Sequence, residues 1–148
     1  MLLRALTLIV LAGVAPWSQA ASCEATVDGT DMMTYSVQAL EASRSCQTFT
    51  LHLTHSGNMP KSVMEHNWVL AKASDAEAID ADGGRAGFEE DYLKPKDPRV
   101  IAHTRLIGGG ESDSVTFSLA GLKSDEAYEF FCSFPGHLTL MKGIFTVI

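Results

Sequence analysis

The sequence predicts an all-β sandwich interrupted by one helical excursion. Three observations predict it. Short segments with apolar residues at every second position recur along the chain. Glycine-containing turns separate several of them. Only one stretch has helical spacing and a helix start signal. Many short strands with a single helical insertion are the mark of two packed sheets rather than of a helical bundle or a parallel α/β fold. The 148 residues suit one domain. There is no internal repeat, and no low-complexity tract beyond Gly108-Gly109-Gly110.

The elements follow in order. Ser22 to Val27 suits a first strand, ended by Asp28-Gly29. Tyr35 to Leu40 suits a second, irregular one. Thr48 to His55 is the clearest strand: Phe49, Leu51, Leu53 and His55 share one face, and Thr48, Thr50, His52 and Thr54 the other. Such alternation gives one buried and one wet face. Asn67 to Ala71 is the next strand, with His66 at its entrance. Ser74-Asp75-Ala76-Glu77 has the form of a capping box, and a helix follows until Asp82-Gly83-Gly84. Arg85 to Leu93 gives further helical turns that end before Pro95. Val100 to Leu106, Ser114 to Ser118, Ala127 to Cys132 and Gly143 to Ile148 complete the strands.

One stretch carries chemistry: Cys132-Ser133-Phe134-Pro135-Gly136-His137-Leu138-Thr139-Leu140-Met141. It holds a thiol, an imidazole and a thioether, and His66 adds a second imidazole from far upstream. Singly, each residue is ordinary, since a lone Cys is more often a small buried hydrophobe than a ligand. Together they form a specific set. Two His and one Cys in a plane with a weak axial Met is the ligand set of blue-copper electron-transfer sites. Thiolate and thioether sulfur suit Cu(I), and imidazole suits both oxidation states, so little has to move when an electron arrives. The short spacing from Cys132 to Met141 requires one loop bent around the ion. Pro135-Gly136 supplies the turn, and Pro135 adds no N–H beside the sulfur.

Residues 1–20 read as a secretory leader: Arg4, an apolar run from Ala5 to Ala15, and small residues at Ser18 and Ala20 before the expected cut. The apolar run is too short for a permanent membrane span. There is no twin-arginine pair, so export in the unfolded state is expected, with the metal loaded afterwards. The domain is then 21–148, a monomer without membrane insertion. Losing Arg4 takes the formal charge from −7 to −8. An acidic protein is a poor ligand for nucleic acid and favours partners with basic faces or an apolar docking patch. Three cysteines in an exported chain leave one over. Cys23–Cys46, Cys23–Cys132 and Cys46–Cys132 are all open as pairings, and the last two would consume the site thiol. The first closes a loop of roughly 20 residues, worth on the order of 3 kcal/mol by loop entropy.

Two segments carry a resemblance. Asn58-Met59-Pro60-Lys61-Ser62-Val63-Met64-Glu65-His66-Asn67-Trp68-Val69-Leu70 and Phe131 to Gly143 resemble the azurins, a family of bacterial cupredoxins. The likeness covers the chain after the leader. It implies a Greek-key sandwich of about eight strands with a helical flap. It implies a Cys23–Cys46 disulfide and one type 1 copper held by His66, Cys132, His137 and Met141. The backbone carbonyl of residue 65 would lie on the opposite axial side. It also implies one-electron transfer in the periplasm with cytochromes c and nitrite reductase or peroxidase. Asn67 and the N–H of Phe134 would steady the thiolate. Met33, Met59, Met64, Phe134, Pro135 and Leu138 correspond to the family's apolar docking patch around His137, with Met33, Met64 and Leu138 partly exposed. His55 would titrate near neutral pH, whereas His103 and His52 are expected on the surface. Trp68 is expected deep in the core.

The sequence departs from the family at one point. Glycine is usual where this chain has Glu65, and its freedom at positive φ is lost. A surface position is expected for that carboxylate, because a charge buried beside the metal would be costly. A copper storage or delivery protein without redox turnover is the alternative function. Zinc is a weaker alternative, since Met is a poor zinc ligand. A Cys–His hydrolase lacks an orienting third group.

Overall fold

The computed structural model describes residues 22–148, so the leader assigned to residues 1–20 lies outside the described residues. Among the described residues eight strands form two sheets: β1 (Glu24–Gly29), β2 (Ala39–Ala42), β3 (Thr48–His55), β4 (Val69–Lys72), β5 (Val100–His103), β6 (Ser112–Ser118), β7 (Tyr128–Phe131) and β8 (Lys142–Val147). One sheet has the order β1-β3-β6, the other β2-β8-β7-β4-β5. Pairings β1–β3 and β2–β8 are parallel, and the others are antiparallel. The strand predicted over Thr48 to His55 is β3, with the same bounds and the same buried row.

The core lies between the sheets. Trp68 is fully buried at its centre, stacked on Phe117 and Phe130 and edge-on to Phe145. Its indole N–H has no hydrogen-bond partner among the described residues. The disulfide joins Cys23 to Cys46, which resolves the pairing, and Cys132 is free and buried.

Several boundaries differ from expectation; among them β4 starts at Val69 and not Asn67, and β6 at Ser112 and not Ser114. Asp28-Gly29 continues β1 instead of ending it. The Asp28 carboxylate accepts from Thr54 Oγ1 and from Ser56 N and Oγ, which fastens the strand end to its neighbour. Regular pairing in β2 starts only at Ala39, with Tyr35 reduced to a single bridge to Gly29. Strand β5 stops at His103, where Thr104 turns its N–H to the Trp68 carbonyl. The helix α1 (Ala76–Ala86) runs through Gly83-Gly84, and its N-terminal cap is Asp75 without a side-chain hydrogen bond. Gly83 is there for room: a Cβ would sit 1.9 Å from the Tyr92 carbonyl oxygen. It marks a close backbone crossing, not a helix stop. A 3₁₀ turn over Phe88–Glu90 follows, and then Asp91 and Tyr92 both adopt positive φ, +53° and +51°.

Candidate metal centre

Three segments meet at one end of the sandwich. His66 precedes β4 and is bridged to Ile107 by two backbone hydrogen bonds. Cys132 follows β7 directly, and its N–H donates to the Met141 carbonyl. Between them the chain closes a helical turn, with Met141 N donating to His137 O at 2.8 Å. Gly136 has φ +84°, so the predicted turn depends on a glycine conformation.

Cys132 Sγ lies 3.5 Å from His137 Nδ1 and 3.9 Å from His66 Nδ1, and the three donor atoms lie within 4.8 Å of one another. A first-row ion placed in the plane at about 2.0 Å from nitrogen and about 2.3 Å from sulfur needs N–S edges of about 3.7 Å. The donor set therefore fits one copper ion. His66 Nε2 donates to Thr30 O at 2.9 Å, which leaves Nδ1 as the free ligand nitrogen. The Glu65 carbonyl oxygen stands 3.9 Å from the sulfur. Met141 is fully buried beside Cys132.

Burial sets the protonation of the donors. It pushes the Cys132 thiol up to about 12, while the backbone N–H groups of Asn67 and Phe134 pull in the other direction. It pulls His66 down to about 4 and lowers His137 as well. Both imidazoles are thus neutral and ready to bind at pH 7. The thiol needs a cation to become thiolate, so metal binding releases a proton.

A family model described as copper binding proteins, plastocyanin/azurin family, matches residues 21–148. The chain belongs to that family. It is 56% identical over 123 residues to the azurin of Pseudomonas chlororaphis, covering 83% of this chain and 96% of that protein. It is 52% identical over 128 residues to the azurin of Pseudomonas aeruginosa, covering 86% of each. Among solved structures, the azurin Az-iso2 of Methylomonas sp. strain J superposes with a TM-score of 0.83 at 47% identity, covering 86% of this chain and 99% of that one.

This member departs from expectation at Glu65. The residue is 1% exposed and not at the surface, and neither carboxylate oxygen has a hydrogen-bond partner. Burial raises its pKa, and Lys61 Nζ, 4.0 Å from Oε1, opposes the rise. Lys61 Nζ also lies 3.7 Å from Glu111, and its Cβ packs over Gly108. The φ of Glu65 is not positive, so this position does not require glycine.

The surroundings of the site were partly foreseen. Asn67 is fully buried and donates from Nδ2 to Ser133 Oγ (2.7 Å) and to the Asp91 carbonyl (3.1 Å). Its Oδ1 accepts from Ser133 N at 2.9 Å. Ser133 Oγ also donates to the Asp91 carbonyl at 3.1 Å. Ser133 and Asp91 were missed, because neither residue type nor spacing distinguishes them from solvated loop positions. Gly29 was missed too: a Cβ there would lie 2.7 Å from His66 Cδ2.

Of the residues expected around His137, itself 3% exposed, Met33, Phe134 and Leu138 are half-buried and Met59 and Pro135 are exposed. Met64 corrects the expectation of partial exposure: it is buried at 9%, beneath the turn that Pro60 opens. Met32 and Val63 are further exposed apolar side chains on the same two loops. His55 is buried, its ring 4.4 Å from that of His66, with Nε2 3.3 Å from Asp31 Oδ1 but off hydrogen-bond alignment. His103 is exposed and His52 half-exposed, as expected.

Proposed function

We propose that the protein is a periplasmic one-electron carrier with a single type 1 copper, which His66, Cys132, His137 and Met141 would hold. The observation that carries this reading is the converged triangle of one sulfur and two imidazole nitrogens, each on a residue at most 3% exposed. Bound copper supplies the Cu(I)/Cu(II) couple. The chain's own part is to hold donors suited to both oxidation states in one place. Thr30 orients His66, Asn67 ties the two ligand segments together, and the Phe134 ring packs 4.6 Å from the His137 ring. Burial of the ligands excludes water and disfavours handing the ion over, which supports a carrier over a storage or delivery protein. The Glu65 carbonyl remains the candidate for the second axial position.

The expected partners are redox proteins of a respiratory or denitrification chain, such as cytochromes c and nitrite reductase or peroxidase. Docking would use Met33, Met59, Phe134, Pro135 and Leu138 around His137, without Met64, which is buried. A leader at residues 1–20 and a disulfide both fit an exported protein. The test is titration of the apo-protein with Cu(II). An intense visible thiolate-to-copper band, reversibly bleached by one electron per chain, is expected. A colourless product, or copper binding without reversible reduction, overturns the reading.

A further inference from the structure

We propose that the left-handed elbow Asp91–Tyr92 is a positioning device, through which the helical flap holds the two metal-ligand segments in register. One carbonyl of the elbow, that of Asp91, accepts from Asn67 Nδ2 beside His66 and from Ser133 Oγ beside Cys132, both at 3.1 Å. It is therefore the third corner of a hydrogen-bonded triangle whose other two corners each adjoin a ligand. The next residue acts on the third ligand. The Tyr92 ring stands edge-on to Phe134 at 5.4 Å, and Phe134 packs against His137 at 4.6 Å.

The elbow is built to be fixed. Two consecutive non-glycine residues at φ +53° and +51° do not persist unless their surroundings impose it. Here the surroundings are visible. Asp91 Oδ1 accepts from Leu106 N at 3.2 Å, Tyr92 N donates to Gly87 O at 3.0 Å, and the Tyr92 carbonyl lies against Gly83 where no Cβ fits. Asp is among the few residues that enter the left-handed region readily, so the side chain permits the bend while the carbonyl does the holding. Strained backbone of this kind clusters where geometry serves function. The flap is thus a clamp on the site as well as a cover for one end of the core. The inference rests on the metal-centre reading only for the identity of the segments held, and its test needs no metal.

The experiment is backbone amide hydrogen exchange on the apo-protein, comparing Asp91→Val, Asp91→Ala, Asp91→Asn and Asp91→Gly. Ser133 N–H, which is bonded to Asn67 Oδ1, reports the clamp, and Leu51 in β3 reports the core. Valine opposes the left-handed turn, so Asp91→Val should speed Ser133 exchange about tenfold or more, with Leu51 changed by less than about twofold. Asp91→Ala, whose methyl is tolerated better, should give about fivefold and is the variant to read if valine prevents folding. Asp91→Asn and Asp91→Gly keep both the turn and the carbonyl and should leave Ser133 within about twofold of wild type. Exchange that speeds only in the flap, at Gly87 and Leu93, overturns the proposal. So does loss of Ser133 protection in Asp91→Gly, which would assign the effect to the side-chain contact with Leu106. In the copper-loaded protein, Asp91→Val should shift or broaden the charge-transfer band, and Asp91→Asn should restore it.

Discussion

Replacing Asn67 by Ala is the most informative single perturbation of the site's scaffold, and its cost follows from the bonds it breaks. Three hydrogen bonds end on the Asn67 side chain, two of them buried and the one to the Asp91 carbonyl partly so. Asp91 O and Ser133 Oγ keep each other as partners after the change, so those two losses cost about 1 kcal/mol each. Ser133 N–H keeps none. A buried donor left alone costs about 1–3 kcal/mol. The total is about 3–5 kcal/mol, and the small void left behind adds to it. That is a large share of the roughly 5–15 kcal/mol that holds a domain together. Urea denaturation of the apo-protein with unchanged m-value measures it. Wild-type copper spectra accompanied by a loss below about 1 kcal/mol would refute the view that this amide ties the ligand segments together. It would leave Asn67 as a simple turn former.

Three further outcomes are expected. Glu65→Leu at pH 7 should leave apo stability unchanged or raise it by about 1–3 kcal/mol, because it removes a buried carboxyl whose oxygens have no hydrogen-bond partner; a loss of more than about 2 kcal/mol in urea unfolding would mean that the Lys61 contact outweighs desolvation. Asp97 is buried and the Arg99 guanidinium beside it holds its carboxyl down at about 2, so its contribution is present above the unfolded carboxylate value of about 3.9 and is lost as pH falls from about 4 toward about 2. Arg99 is part-exposed, so screening reduces that contribution to on the order of 1 kcal/mol; Asp97→Asn should flatten the acid limb of urea stability over this window, and an unaltered limb would sink the assignment. Trp68, fully buried with an unpartnered indole N–H, should emit at wavelengths well below those of a solvated indole and shift to the red on unfolding; emission already red in the native protein would place water or a polar partner at the ring.

What was legible in the sequence was local or compositional. Strand β3 could be read to the residue because Phe49, Leu51, Leu53 and His55 form an unbroken period of two. The loop from Cys132 to Met141 was legible because ligand chemistry restricts residue type more tightly than packing does. The helix end was misread because a glycine has two uses. Along the chain Gly83 reads as a stop, but its missing Cβ admits the Tyr92 carbonyl from a segment nine residues on. Spacing along the chain does not distinguish a glycine needed for its own conformation from one needed by a neighbour.

Glu65 shows the same limit in energetic form. The expectation of a surface carboxylate followed from the cost of burying a charge, and that cost is real, since burial raises its pKa. What the sequence hid is that the Lys61 ammonium lies 4.0 Å from the carboxyl and 3.7 Å from that of Glu111. The carboxyl is nonetheless 1% exposed and has no hydrogen-bond partner among the described residues. The backbone carbonyl of the same residue stands 3.9 Å from the Cys132 sulfur. Side chain and carbonyl point to different neighbours, so the Glu65 side chain can vary while the carbonyl that faces the site keeps its place.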